Sequence, residues 1–205
     1  MMLLRVTRRL MKYRLGLPAV AASVAVAAAV VAAGAAGAAD LHGTARTGGH
    51  GVANAVVWLD APKAPPLVPA RRVVLDQRNL QFSPHVLAVR VGTAVEFPNN
   101  DRVFHNVFSF RDGKVFNLGM YPVGAVKRVT FDRPGLSRIF CNIHPGMAAY
   151  VMAVASPYFA VSDETGAFTI NTVETGTYTY HAWRAGGADL TGTWTAGTDL
   201  AVEWP

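Results

Sequence analysis

Beyond Asp40, short apolar runs alternate with Gly, Pro, Asn and Asp, and no long stretch repeats with a helical period. That pattern predicts an all-β fold. Leu87, Val89, Val91, Val95 and Phe97 are apolar, while Ala88, Arg90, Gly92, Ala94 and Glu96 between them are small or charged. This period of two predicts a strand pair with one buried face. Further strands are expected over Lys127–Phe131, Ser137–Cys141, Ala149–Val154, Phe159–Val161, Phe168–Ile170 and Tyr178–Trp183. Arg111-Asp112-Gly113-Lys114 reads as a hairpin turn in which Gly takes the positive φ. Asp163–Gly166 and Glu174–Gly176 read as turns, and Gly186, Gly187 and Gly192 as loop markers. Four prolines between Ala61 and Ala70 predict a stiff, extended linker.

The N-terminus follows a different rule. Arg5, Arg8, Arg9, Lys12 and Arg14 precede an uncharged Ala/Val-rich stretch from Leu15 to Ala39, which ends in small residues. That order is expected of a secretory signal peptide over residues 1–39, with Thr7–Lys12 loosely resembling a twin-arginine signal. The competing reading is an uncleaved membrane anchor. Cutting after Ala39 would begin the chain at Asp40-Leu41-His42, an amine, amide, amide and imidazole set suited to Cu(II) or Ni(II); the alternatives are that His42 starts a strand, or that cutting after Ala38 destroys the spacing. The chain carries 19 basic and 13 acidic residues, a formal charge of +6, and removing the five N-terminal bases leaves 14 against 13. The excess charge belongs to the leader, so no nucleic-acid partner is expected, and a membrane partner only if the leader stays attached.

One cysteine excludes an intramolecular disulfide framework and any zinc site with two thiolates. It sits in Cys141-Asn142-Ile143-His144-Pro145-Gly146-Met147, where a thiol, an imidazole and a thioether fall within seven residues. Upstream, Asn99-Asn100-Asp101-Arg102-Val103-Phe104-His105-Asn106-Val107 offers a second imidazole. Thiolate, two imidazoles and a weak thioether are the donors of a blue-copper electron-transfer site. Soft sulfur suits Cu(I) and imidazole accommodates Cu(II), so the set serves both oxidation states. Pro145 holds His144 extended, and Gly146 permits the tight return. Against this stand plainer readings: a buried apolar cysteine, a satisfied core histidine, and Met120 or Met152 competing for the axial role. Met152 falls in an apolar strand pattern and reads as core.

Val73–Pro157 resembles a cupredoxin of the plastocyanin and amicyanin type. The resemblance rests on Phe82-Ser83-Pro84, Val91-Gly92-Thr93, Phe97-Pro98-Asn99-Asn100, His105-Asn106-Val107 and Cys141–Met147. It implies a Greek-key β-sandwich holding one type 1 copper on His105, Cys141, His144 and Met147. It also implies that Asn106 braces the ligand loop by hydrogen bonds.

The flanks resemble a carboxypeptidase-regulatory, transthyretin-like sandwich. Leu41-His42-Gly43-Thr44 through Leu59 look like its first hairpin, and Ala160–Ile170 with Glu174–Tyr180 like its later strands. The organisation expected is a signal over 1–39, a discontinuous sandwich over 40–60 and 158–205, a linker over 61–72, and a cupredoxin domain over 73–157, inserted in or packed on the second sandwich. The alternative is that the flanking strands extend the cupredoxin sheets. His85 and His181 read as structural or surface residues, and the tryptophans as core rather than a sugar platform. The flanking sandwich shows no cluster of catalytic acid, base or nucleophile, and no second copper-binding histidine set is evident, so the expectation is not an enzyme but a periplasmic or secreted one-electron carrier. Its partners would be redox proteins such as a c-type cytochrome or a dehydrogenase. The alternatives are a copper-delivery protein and a glycan-binding or adhesion module with a structural metal.

Overall fold

The computed structural model describes residues 37–61 and 72–205. The expected signal peptide and most of the Pro-rich linker lie outside the described residues. Alternating patterns give β1 (Ala38–Thr47), β2 (His50–Gly51) and β3 (Val56–Leu59) before the linker. After it come β4 (Val73–Val74), β5 (Asp76–Arg78), β6 (Gln81–Ser83), β7 (Val86–Arg90), β8 (Thr93–Pro98), β9 (Phe108–Ser109) and β10 (Phe116–Asn117). β11 (Val126–Phe131), β12 (Gly135–Phe140) and β13 (Ala148–Val154) follow. The chain ends in β14 (Phe159–Val161), β15 (Ala167–Glu174), β16 (Thr177–Trp183), β17 (Leu190–Thr195) and β18 (Leu200–Trp204). The described chain is all-β, as expected.

The strands sort into two sandwiches. One pairs a five-stranded sheet, β10-β9-β12-β13-β7, with the sheet β11-β8-β4 and the small β5-β6 hairpin. The other combines β15-β1-β18, with β2 on β1, and β14-β3-β16-β17. β1 pairs antiparallel with β15 and parallel with β18, so the strands before the linker are completed by strands after Phe159.

Each sandwich has its own core. Leu75, Phe82, Val89, Val95, Phe97, Val107, Ile139, Met147 and Val151 pack in the first; Leu41, Leu59, Ile170, Trp194, Val202 and Trp204 pack in the second. A third cluster of Val56, Val86, Met152, Val154 and Trp183 joins them. β7 and β13 therefore bury both faces. Val89, Ala149, Val151 and Ala153 point into the first core, while Val86, Met152 and Val154 point into the junction. This parallel pair is apolar on both sides, as a doubly covered strand pair must be.

Several expectations need correction. The alternating run 87–97 gives two strands that do not pair with each other; β7 joins β13, and β8 joins β11 and β4. Gly92, at φ 94°, turns the chain from one sheet to the other, with its N–H on Phe131 O and the Val91 N–H on Val154 O. Alternation reports a buried face but not the partner strand. β9 and β10 do form a hairpin, but across six loop residues, and Asp112 rather than Gly113 takes the positive φ, at 63°. Gly192 lies inside β17 opposite Tyr180, where a Cβ would come within 2.6 Å of the tyrosine ring. A close approach, not a loop, requires that glycine. Asp40-Leu41-His42 is inside β1, with Leu41 opposite Ile170 and His42 opposite Thr169, so His42 continues a strand that begins at Ala38. Trp183, Trp194 and Trp204 are buried, and half-buried Trp58 stacks on His181; they are packing residues, not an open platform.

Candidate metal centre

The ligand loop grows from the end of β12. Cys141 follows Phe140 directly, and the loop closes on itself: the Cys141 N–H donates to Met147 O at 3.3 Å, and the Met147 N–H to His144 O at 2.9 Å. These two bonds turn residues 141, 144 and 147 back toward one another over seven residues. His105 comes from the chain between β8 and β9. Its backbone exchanges two hydrogen bonds with Tyr121, N–H to O at 3.2 Å and O to N–H at 2.9 Å.

Buried polar groups fix this second segment. Fully buried Asn99 donates from Nδ2 to Val103 O and Tyr121 O, at 2.8 and 3.1 Å. Gln77, equally buried, donates to Pro98 O at 2.9 Å and to the Tyr121 hydroxyl. That hydroxyl donates to Phe97 O at 3.0 Å, and burial pushes its pKa up. Removing any one of these partners would strand a buried polar atom, at about 1–3 kcal/mol.

His105, Cys141 and His144 converge, with their donor atoms within 4.8 Å of one another. Cys141 Sγ lies 3.9 Å from His105 Nδ1 and 3.7 Å from His144 Nδ1, and the two Nδ1 atoms are 3.0 Å apart. An ion bonded at about 2.0 Å to imidazole and about 2.3 Å to thiolate needs donor separations of roughly 3–4 Å. The three donors fit one such ion. His105 is fully buried and Cys141 nearly so, while His144 is partly open to solvent. Around it, Ile143, Pro145 and Gly146 are exposed and uncharged.

Met147 is 1% exposed and belongs to the same core as Cys141. Its rivals lie elsewhere: Met120 is exposed, and Met152 is in the junction between the sandwiches. Asn106 is buried beside His105, but its Oδ1 has no hydrogen-bond partner among the described residues, so no brace through that oxygen is formed. His85 is exposed, and His181 meets Asp60 at 3.1 Å and stacks on Trp58; neither joins the cluster.

The residue that sequence reasoning missed is Asp101. Its Oδ2 lies 3.0 Å from His105 Nε2, the nitrogen turned away from the cluster. The Leu80 backbone N–H chiefly, with help from the Arg102 N–H and His105, holds this carboxyl at about 2 although burial opposes it. Its signal was a carboxylate four residues before a candidate ligand. Within Asn-Asn-Asp-Arg that signal looks like ordinary turn chemistry.

Solved structures similar to this chain include a purple cupredoxin from Nitrosopumilus maritimus. It is 28% identical over 40% of this chain and 98% of its own, with a TM-score of 0.36. A copper-containing nitrite reductase from Thermus scotoductus SA-01 is 28% identical over 47% of this chain and 25% of its own, at a TM-score of 0.40. A reduced amicyanin variant is 23% identical over 47% and 99%, at 0.38. No curated protein sequence matches the chain. The sequence model of the plastocyanin/azurin family of copper binding proteins matches residues 70–154, the segment holding all three clustered donors.

Proposed function

We propose that this chain is an exported one-electron carrier, working in the periplasm or secreted, whose copper would be held by His105 Nδ1, Cys141 Sγ and His144 Nδ1, with the Met147 thioether as a weaker donor. The observation that carries the reading is the convergence of exactly one thiol and two imidazoles in a nearly dry pocket with a single partly open edge. When bound, copper supplies a one-electron Cu(II)/Cu(I) couple. The protein's part is to keep the donor positions fixed, so that little rearranges when the electron moves. The hydrogen-bonded loop from Cys141 to Met147 and the bonded pair His105–Tyr121 do this.

His144 serves as the electron port, because it is the one clustered donor that meets solvent. Its uncharged surroundings suit a brief, weak contact with another redox protein, such as a c-type cytochrome or a dehydrogenase. The leader over residues 1–39 directs export. Residues 73–157 form the copper domain, and residues 40–60 with 158–205 form a carboxypeptidase-regulatory-like sandwich that acts as a spacer or binding module. We assign no catalytic turnover to either.

Voltammetry of the copper-loaded protein tests the carrier role. A reversible one-electron wave with fast self-exchange is expected. A sluggish, irreversible wave together with ready copper transfer to an apo-acceptor would replace it with copper delivery.

A further inference from the structure

We propose that Asp101 is a positioning residue for the copper centre: its carboxylate holds the Nε2–H of His105, so that Nδ1 is the nitrogen offered to the metal, and its charge favours Cu(II) over Cu(I). The inference rests on the reading of His105 as a ligand.

The geometry leaves one workable tautomer. His105 is fully buried, with Nε2 3.0 Å from Asp101 Oδ2 and Nδ1 3.9 Å from Cys141 Sγ. A proton on Nε2 makes a charge-assisted hydrogen bond and leaves the Nδ1 lone pair facing the thiol and His144. A proton on Nδ1 would instead set the Nε2 lone pair against a carboxylate oxygen. Buried polar groups do not tolerate that arrangement. A carboxylate behind a ligating imidazole also raises the basicity of the ligand.

Asp101 is itself held from three sides. Its Oδ2 accepts the Leu80 N–H at 2.7 Å, its Oδ1 accepts the Arg102 N–H at 2.8 Å, and its own N–H donates to Asn99 Oδ1 at 3.1 Å. The Leu80 contact comes from the tip of the β5-β6 hairpin, where Asn79 and Leu80 both have positive φ, 53° and 58°. A bulky residue seldom accepts that conformation. The tip thereby aims a backbone donor at the carboxylate, and the three hydrogen bonds together keep it from rotating away from His105. The line of contact runs from the Leu80 N–H through Asp101 and His105 to the thiol.

The test uses the full chain in two forms. In the metal-free wild type, long-range nitrogen–proton NMR should find His105 protonated on Nε2. Asp101→Ala should abolish that preference. Asp101→Asn, which can still accept from His105, should keep it. In the copper form, both variants should shift the Cu(I):Cu(II) ratio about tenfold toward Cu(I) at a fixed ambient potential, a rise of about 59 mV for a one-electron couple. If Asp101→Ala does not fold, the wild-type tautomer and the Asp101→Asn potential decide. A wild-type His105 protonated on Nδ1, or an unchanged potential in Asp101→Asn, overturns the inference. Failure of the ligand reading looks different: wild-type protein would then take up Cu(II) without any thiolate-to-copper band.

Discussion

The two sandwiches obey different rules. In the copper-bearing one, nine polar or charged residues between Gln77 and Ser137 are buried, against Ser156 and Ser162 in the rest of the described chain. Among the described residues, the large exposed apolar side chains all lie between Leu80 and Ile143 as well. Among the described residues the flanking sandwich buries one polar side chain, Ser162. Its core is Leu, Ile, Val, Ala, Phe and Trp, and its surface among the described residues carries no large exposed apolar side chain. Polar groups inside and apolar groups outside both cost stability, and a fold keeps them where they serve a site or a contact. The half of the molecule that breaks both rules is the half that holds the His-Cys-His cluster.

That contrast can be broken by mutation, beginning with the largest effect. Trp204→Ala, in the flanking core, should cost about 3–5 kcal/mol in denaturant unfolding. The visible spectrum of the copper-loaded protein should be unchanged, because the two cores share no residue. Loss of colour in a folded variant would show the halves to be coupled at the site. Met152→Ala, in the junction, should cost about 2–3 kcal/mol in the full chain. In a fragment of residues 72–157, which lacks Val56 and Trp183, the cost should fall well below that. An equal cost in both would mean that Met152 stabilises the copper sandwich alone.

A smaller effect is pH-dependent. The Asp101 carboxyl titrates at about 2 in the folded chain against an ordinary 3.8. A lowered folded value means the stabilisation is complete above the unfolded value and is lost as pH falls toward 2. Denaturant midpoints should therefore drop between pH 5 and pH 2.5 more steeply in the wild type than in Asp101→Asn. Parallel curves would show the carboxylate to be energetically idle. Ile143→Asp, on the exposed loop beside His144, should change stability by no more than about 0.5 kcal/mol. It should nonetheless slow electron self-exchange, because two copies would then meet with like charges at the port. An unchanged rate would place the contact elsewhere.

The residues differ in how far the sequence alone revealed them. The approach of His144 to Cys141 was legible because one short loop carries both, and Cys-x-x-His spacing is a local property. His105 was legible only through its neighbours in the Asn-Asn…His-Asn run. Asp101 was not, because its meaning depends on a hairpin tip twenty-one residues away reaching its oxygen. The all-β class followed from alternation, yet the partners of β7 and β8 did not, since period two is blind to which sheet a strand joins. β17 escaped notice because Gly192 and the threonines around it resemble loop chemistry. Met152 was legible as a core residue, but not as part of the junction, because a doubly buried strand has two apolar faces and no polar one to orient it.

The central claim, that copper sits on His105, Cys141 and His144, is tested most directly by the visible absorption of the purified, Cu(II)-loaded protein beside its Cys141→Ser variant. A thiolate bound to Cu(II) gives an intense charge-transfer band in the visible. The account predicts that band in the wild type at one copper per chain and none in Cys141→Ser. A colourless wild type, or a band that survives the loss of the thiol, would contradict it.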